Sequence, residues 1–423
     1  MSKSPSTLHL RKRHRAERRF RLYGLVAICL ALLILAVLVT SIVATGIGSF
    51  TRSVVTLEFT LDPDELAPNG NRTPEDLASV DYAGLVKRQL RKRFPEVTDR
   101  KAKRDLYKLV SVGAAYELRE RVMEDPSIIG RTVAIPLTVS DDADLYVKQR
   151  VSRDMPEENR RLRDRQLDWL DALTEDGALT TVFNWQFFTR GDSREPELAG
   201  IGGAFVGTLL TLSVTFALCF PLGVAAAVYL QEFAPKSRWT DFLEVNINNL
   251  AAVPSVIFGL LGLAIFLGVF DLPRSAAIVG GLVLAIRTLP IIIIAARSSL
   301  AAVPPSIRAA AMGVGASPVQ VVGHHVLPSA MPGILTGTII GMAQALGETA
   351  PLLMIGMVAF VVDVPTSIDS PSTVLPVQIF LWADAPERAF SDKTSGAIMV
   401  LLGFLIAMNG SAVWLRQKFE RRS

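Results

Sequence analysis

Apolar and charged residues are segregated along this chain. Long apolar runs occupy residues 22–49, 201–230, 250–270, 276–296, 334–362 and 397–415. Each is close to or above the roughly 20 residues that a helix rising 1.5 Å per residue needs to cross bilayer hydrocarbon. The pattern predicts an α-helical polytopic membrane protein with six transmembrane helices. Between the first two runs the periodicity changes. Residues 54–61 and 132–139 alternate apolar with polar, as half-buried strands do. Thr73-Pro74-Glu75 has helix-start chemistry, with proline at the first helical position, and Leu77, Leu85, Val86 and Leu90 then recur at helical spacing. A further helix is predicted through residues 162–173, rich in Arg–Asp pairs. The segment therefore reads as an inserted α+β domain.

Basic residues set the orientation. Arg11-Lys12-Arg13 and Arg18-Arg19 precede the first run and hold that end in the cytoplasm. The run is longer than a signal-peptide core and no clear Ala-x-Ala site follows, so it reads as a retained anchor. Alternation then places Lys236, Arg238, Arg297, Arg308 and the tail residues Arg416, Lys418, Arg421 and Arg422 on the cytoplasmic side, with Asp271, Asp363, Asp369 and Asp384 opposite. Both termini are expected inside. The insert carries many basic residues, but loops above about sixty residues translocate largely regardless of charge, so it is expected outside. Its Lys87-Arg88 and Arg91-Lys92-Arg93 clusters read as a solvated helix face, and Trp185, Phe187 and Phe188 suit an interfacial aromatic belt.

Composition narrows the function classes. A net charge of +4 on 423 residues is too small for nucleic-acid binding. Cys29 and Cys219 both lie in apolar runs, so no disulfide framework is expected. No catalytic or metal-binding constellation is found, and His324-His325 reads as packing. Two ionisable residues, Glu348 and Arg287, fall deep within apolar runs. Charge at that depth costs about 2.5 kcal/mol or more on insertion scales, which points to a cavity or a partner rather than lipid. Pro221, Pro254, Pro290 and Pro351 also interrupt the runs, and the backbone they disturb is tolerated where it lines a cavity or finds a local partner. Ser255 and Thr349 place hydroxyls beside such backbone.

Between the fourth and fifth runs, Pro304-Pro305 opens an alanine-rich helix, Gly315 marks a turn, and a second helix is expected to end at Pro328 and Pro332. The spacing of Ala310, Ala311, Gly315, Leu327 and Pro328 resembles the coupling motif of ABC-importer permeases. Ala309 stands where that motif has an acid, and His325 where it has isoleucine. Tyr229-Leu230-Gln231-Glu232-Phe233-Ala234-Pro235, Val253-Pro254-Ser255, Gly347-Glu348-Thr349-Ala350-Pro351 and Leu375-Pro376-Val377-Gln378 are similar to the phosphate-import permeases, of PstA type rather than PstC type, in a long form with an external insert.

The resemblance implies an ABC-importer permease core at residues 199–416 with a coupling loop at 299–330. Around it lie a cytoplasmic tail at 1–21, the first span at 22–49, a periplasmic domain at 50–198 and a second tail at 417–423. It implies a bacterial inner-membrane location. The implied partners are a homologous permease (PstC-type), an ATPase dimer (PstB-type) and a periplasmic phosphate-binding protein (PstS-type). The chain has no Gly-x4-Gly-Lys-Ser/Thr sequence, so no cofactor is expected in it, and ATP and magnesium would be bound by the ATPase. PstA-type sequences commonly carry arginine four residues before the glutamate of Gly-Glu-Thr. Here that position is Gln344, one helical turn from Glu348. Arg287, Gln344, Glu348, Thr349 and Ser255 are the candidate pathway residues, with Arg287 expected to replace the missing cation. The alternatives are a permease for another oxyanion, sulfate or molybdate, and a membrane-anchored sensory or scaffold subunit. The sensory reading predicts that deleting residues 52–197 abolishes function while Glu348→Gln does not.

Overall fold

The computed structural model describes residues 5–66, 73–357 and 360–420; Arg421 and Arg422 of the basic tail and residues 358–359 of the fifth apolar run lie outside them. Helix α1, Pro5–Gly46, carries the N-terminal basic cluster and the first apolar run as one continuous rod. Its apolar stretch is unburied by the rest of the chain. A turn at Ile47–Phe50 leads into the external domain.

That domain is built on a three-stranded antiparallel sheet, β1 (Thr51–Thr60), β2 (Thr132–Thr138) and β3 (Leu179–Phe183), in the order β2-β1-β3. The register pairs Thr51 with Phe183 at one end of β1 and Thr60 with Thr132 at the other. Val55, Leu57 and Phe59 alternate onto the buried face. Helices α2 (Pro74–Ala78), α3 (Tyr82–Arg93), α4 (Arg100–Tyr107), α5 (Ala114–Glu124), α6 (Asp141–Val147) and α7 (Asp164–Glu175) complete the core. The continuous helical spacing from Leu77 to Leu90 is broken in two, because the Asp81 side chain accepts from Gly84 N–H and starts a new helix. Strand β3 and helices α4 to α6 have no counterpart in the sequence reading.

Helix α8, Trp185–Thr189, leads to the first span of the second half, α9 (Gly202–Val228). There follow α10 (Arg238–Ala251), α11 (Ser255–Gly262), α12 (Ala277–Ala301), α13 (Pro305–Gly313), α14 (Pro318–Val321), α15 (Leu327–Leu346), α16 (Ala350–Met354), α17 (Leu375–Ala383) and α18 (Ala389–Glu420). Among the described residues, five helical runs are long and apolar enough to cross a membrane. A sixth span arises if the pair Arg238–Ala251 and Ser255–Leu267, bent by 101°, counts as one. Pro254 sits at the bend, where its missing N–H costs no helical bond. Pro221 and Pro290 are carried inside unbroken helices.

Three expectations change. Pro328 and Pro332 do not end a helix: the run continues from Pro318 to Leu346 through a π-helical turn at Val322–Val326. Within this run Ser329 Oγ also donates back to the His325 carbonyl at 2.7 Å. His324 and His325 are exposed rather than packed. Of the aromatic trio, Phe187 belongs to the core, fully buried against Phe50 and Trp382, and Phe188 is half-buried.

The external domain is tied to the first and last spans. Lys148 Nζ donates to the carbonyls of Gly48 (2.8 Å) and Thr51 (2.7 Å), and Arg150 Nη2 to those of Ala44 (2.7 Å) and Thr45 (3.0 Å). Cations at a helix C-terminus satisfy its orphan carbonyls and favour its dipole. Beside them α1 and α18 approach closely. A Cβ on Gly46 would stand 2.7 Å from the Ser395 carbonyl carbon, and one on Gly396 2.7 Å from Ser49 Cβ. The buried Lys393 ammonium donates to Ala199 O at 3.2 Å and lies 5.0 Å from the Phe187 ring centre.

Candidate functional site

Helices α12 and α15 are drawn together by small residues. A Cβ at Gly333 would meet Ser299 Oγ at 2.4 Å, at Gly337 the Ala295 Cβ at 2.2 Å, and at Gly341 the Thr288 Cγ2 at 3.0 Å. The i, i+4, i+8 spacing makes one flat stripe along α15, the means by which membrane helices approach closely. Followed toward the C-terminus of α15, the stripe leads to Arg287 on α12.

Here α15 stops. Gly347 caps it, and Glu348 N–H still reaches Ala345 O at 3.2 Å. Thr349 then turns the chain into the short α16, with Pro351 in its first turn. The expectation that Gln344 and Glu348 share one helix face therefore fails: Gln344 is exposed on the last turn of α15, and Glu348 lies beyond the helix end. From that break the Glu348 carboxylate pairs with Arg287 Nη2, both side chains being about four-fifths buried. Arg287 is ten residues into α12 and fourteen from its end, so the pair lies roughly 15 Å along the span. The other terminal guanidinium nitrogen, Nη1, is buried without a partner among the described residues, as is the neighbouring Thr288 hydroxyl. A buried donor left unbonded costs about 1–3 kcal/mol, so an anion or water at this nitrogen would be stabilised.

Thr349 and Ser255 stand at the starts of two helices in contact. A Cβ on Gly259 of α11 would stand 2.7 Å from Pro351 Cα and 2.8 Å from its carbonyl oxygen on α16. Ser255 is the first residue of α11 and Thr349 immediately precedes α16. Both are half-buried.

On the far side of α12 lies the loop of α13 and α14. Gly315 has φ +90°, a conformation that suits glycine, and Ser317 caps α14 reciprocally with Gln320. Ala309 and Ala310 are exposed, Ala311 is buried, Leu327 is half-buried and Pro328 exposed. Arg308 anchors α13: Nε and Nη2 donate to Glu232 at 3.1 and 2.6 Å, Nη1 to Val303 O at 2.7 Å, and Nη2 to Leu300 O at 3.0 Å. Arg297 pairs with Glu244 at 2.6 Å alongside. The sequence reading missed both pairs. Glu232 belongs to a motif and Arg308 to the cytoplasmic basic residues, but 76 positions separate them and no spacing rule joins them.

In the external domain Glu117 sits where α5 meets β1, β2 and α8. Burial opposes its charge, but Thr138 N–H and hydroxyl, the Gln186 amide and Arg52 outweigh it and hold the carboxyl below the ordinary range. At Glu197 burial outweighs the hydrogen bonds from Ser111 and its own backbone and pushes the carboxyl up to about 7.

Residues 220–423 match the family described as "Binding-protein-dependent transport system inner membrane component", and residues 7–157 match a "Domain of unknown function (DUF3333)". The phosphate transport system permease protein PstA 1 of Mycobacterium tuberculosis is 30% identical over 247 residues, covering 58% of this chain and 80% of that protein. PstA of Haemophilus influenzae is 28% identical over 223 residues, covering 52% and 77%. A structure of the MetNI methionine ABC transporter in inward-facing conformations superposes with TM-score 0.41 at 18% identity, covering 50% of this chain and 94% of that one.

Proposed function

This chain belongs to the PstA family of phosphate transport system permeases, and from that premise we propose that it lines the phosphate pathway through the Arg287–Glu348 pair. It is a multi-pass permease subunit of an ABC importer for phosphate, and the family works with a second permease, an ATPase and a binding protein. The finer assignment is ours. The partners are of PstC, PstB and PstS type, ATP and magnesium are bound by the ATPase, the chain lies in the bacterial inner membrane, and both termini face the cytoplasm.

The observation that carries the pathway role is the pair with its unbonded Nη1 at mid-span. Phosphate at neutral pH is a mono- or dianion, and guanidinium matches its oxygens bidentately. In the resting state Glu348 occupies one side of Arg287. An arriving phosphate takes Nη1 first and then displaces the carboxylate, so the anion site is built only when substrate is present. Thr349 and Ser255 offer hydroxyl donors from the adjoining helix starts. The test is uptake of labelled phosphate by starved cells whose own importer is deleted, expressing this chain with its partner subunits. Unlabelled phosphate should compete and sulfate or molybdate should not. Competition by either at equal concentration would assign the pathway to another oxyanion.

A further inference from the structure

The external domain hides its apolar residues thoroughly except at one end. Among its described residues, five large apolar side chains are exposed: Val112, Tyr116, Val182, Phe183 and Trp185. All five lie at the end where the spans leave the domain. Phe183 is opposite Thr51 in the sheet, five residues beyond the end of α1, and Val182 is opposite Arg52. Trp185 begins α8, and its ring lies 4.8 Å from that of Phe183. Phe183 stacks on Phe188 at 5.9 Å, and Phe188 on Phe50 at 5.7 Å, so an aromatic row runs outward from the buried junction to the 69% exposed Trp185. Tyr116 reaches the same end through its neighbour Glu117, which accepts from Arg52 at 2.8 Å and Gln186 at 2.9 Å. Val112 does so through Gly113, where a Cβ would stand 2.5 Å from the side chain of Leu198, four residues before α9. Just past the end of α1 the exposed Ile47 continues the rim toward a helix whose apolar stretch is itself uncovered.

We propose that this rim rests in the headgroup layer of the bilayer leaflet on the domain's side, so that the domain lies on the membrane instead of standing clear of it. Position argues for lipid as the occupant. The rim sits at the level where three spans enter hydrocarbon, and it joins an apolar helix surface. Its tryptophan and tyrosine are the side chains that favour that layer, with an apolar body and a polar tip. The ties from Lys148 and Arg150 to the end of α1 hold the rim at this height.

Spin labels read the depth directly. With Cys29→Ala and Cys219→Ala as background, single cysteines are placed at Trp185, at Tyr116 and at Thr132. The last pairs with Thr60, nine strand steps and about 30 Å from the rim. The full chain is co-purified with its partner permease and reconstituted in phosphatidylethanolamine–phosphatidylglycerol vesicles. Labels at 185 and 116 should show several-fold higher ratios of oxygen to nickel-chelate accessibility than the label at 132. Equal ratios at all three sites would overturn the proposal. So would protection at 185 and 116 from both reagents at once, which marks a protein occupant. Two independent rim sites keep the test decisive if one variant fails to assemble.

Discussion

The Arg287–Glu348 pair separates a gate from a strut by what neutralisation does. The side chains are 20% and 18% exposed, so removing one partner strands a mostly buried charge. That costs about 3–5 kcal/mol in other proteins, and replacing both partners together is far cheaper. Either single change, Arg287→Gln or Glu348→Gln, should therefore lower the thermal midpoint of the purified complex. The double Arg287→Gln, Glu348→Gln change should recover most of the loss.

Transport should not follow stability. If Arg287 receives phosphate, the neutral double variant folds and assembles yet imports phosphate at least about tenfold more slowly, the loss of roughly one charge-assisted contact at 1.4 kcal/mol or more. Glu348→Gln leaves the guanidinium open, so its half-saturating phosphate concentration should fall even as its maximal rate drops. The assay is initial labelled-phosphate uptake normalised to membrane content, alongside melting in detergent. Wild-type uptake by the neutral double variant would refute the pathway role and leave a packing strut. Full recovery of uptake in the exchanged pair Arg287→Glu, Glu348→Arg would do the same.

Arg308→Gln removes a two-pronged contact to Glu232 and two carbonyl contacts, loosening α13 from the end of α9. Phosphate imported per ATP hydrolysed by the reconstituted transporter should fall, and fall less in Glu232→Gln, which keeps the carbonyl contacts; an unchanged ratio in Arg308→Gln would show that α13 does not act through this link. Glu197 supplies a pH dependence. Its value rises from 4.5 to about 7 on burial, so the folded chain holds the proton more tightly, and stability present at low pH is lost as pH climbs through about 7. The loss is on the order of 3 kcal/mol. Glu197→Gln should flatten that decline in the thermal midpoint and raise it above pH 7, and an unchanged slope would place the titration elsewhere.

Hydropathy exposed the spans because a bilayer imposes length and polarity together, and two lone charges in apolar runs pointed to each other before any contact was seen. The same averaging hid what happens inside a run. Residues 334–362 read as one stretch, yet Gly347 ends α15 and Glu348 leaves its face. Glycine is common within membrane helices, so its presence alone did not mark an end. Pro328 and Pro332 misled in the opposite direction, because the helix runs on through the π turn at Val322–Val326 and carries both prolines. In the insert, β1 and β2 showed alternation, whereas Val182 and Phe183 of β3 are both exposed and give no two-residue period. Phe187 looked like its neighbours until the tertiary contact with Trp382 buried it.

The ties at the membrane junction change how the external domain must be probed. Deleting residues 52–197 looks like a clean separation of a recognising domain from a transporting core. It is not, because the deletion removes Lys148 and Arg150 from the carbonyls of Ala44, Thr45 and Gly48, and removes Phe187 from beside the buried Lys393 ammonium. Orphaned carbonyls at a helix end and a charge stripped of its aromatic face each destabilise α1 and α18. α18 packs against α15, the helix that carries Glu348 at its end. Loss of uptake after deletion would therefore follow under the transport and the sensory readings alike. Substitutions at the far end of the sheet, around Thr60 and Thr132, leave these ties intact, so a change in uptake there reports on the domain and not on the junction.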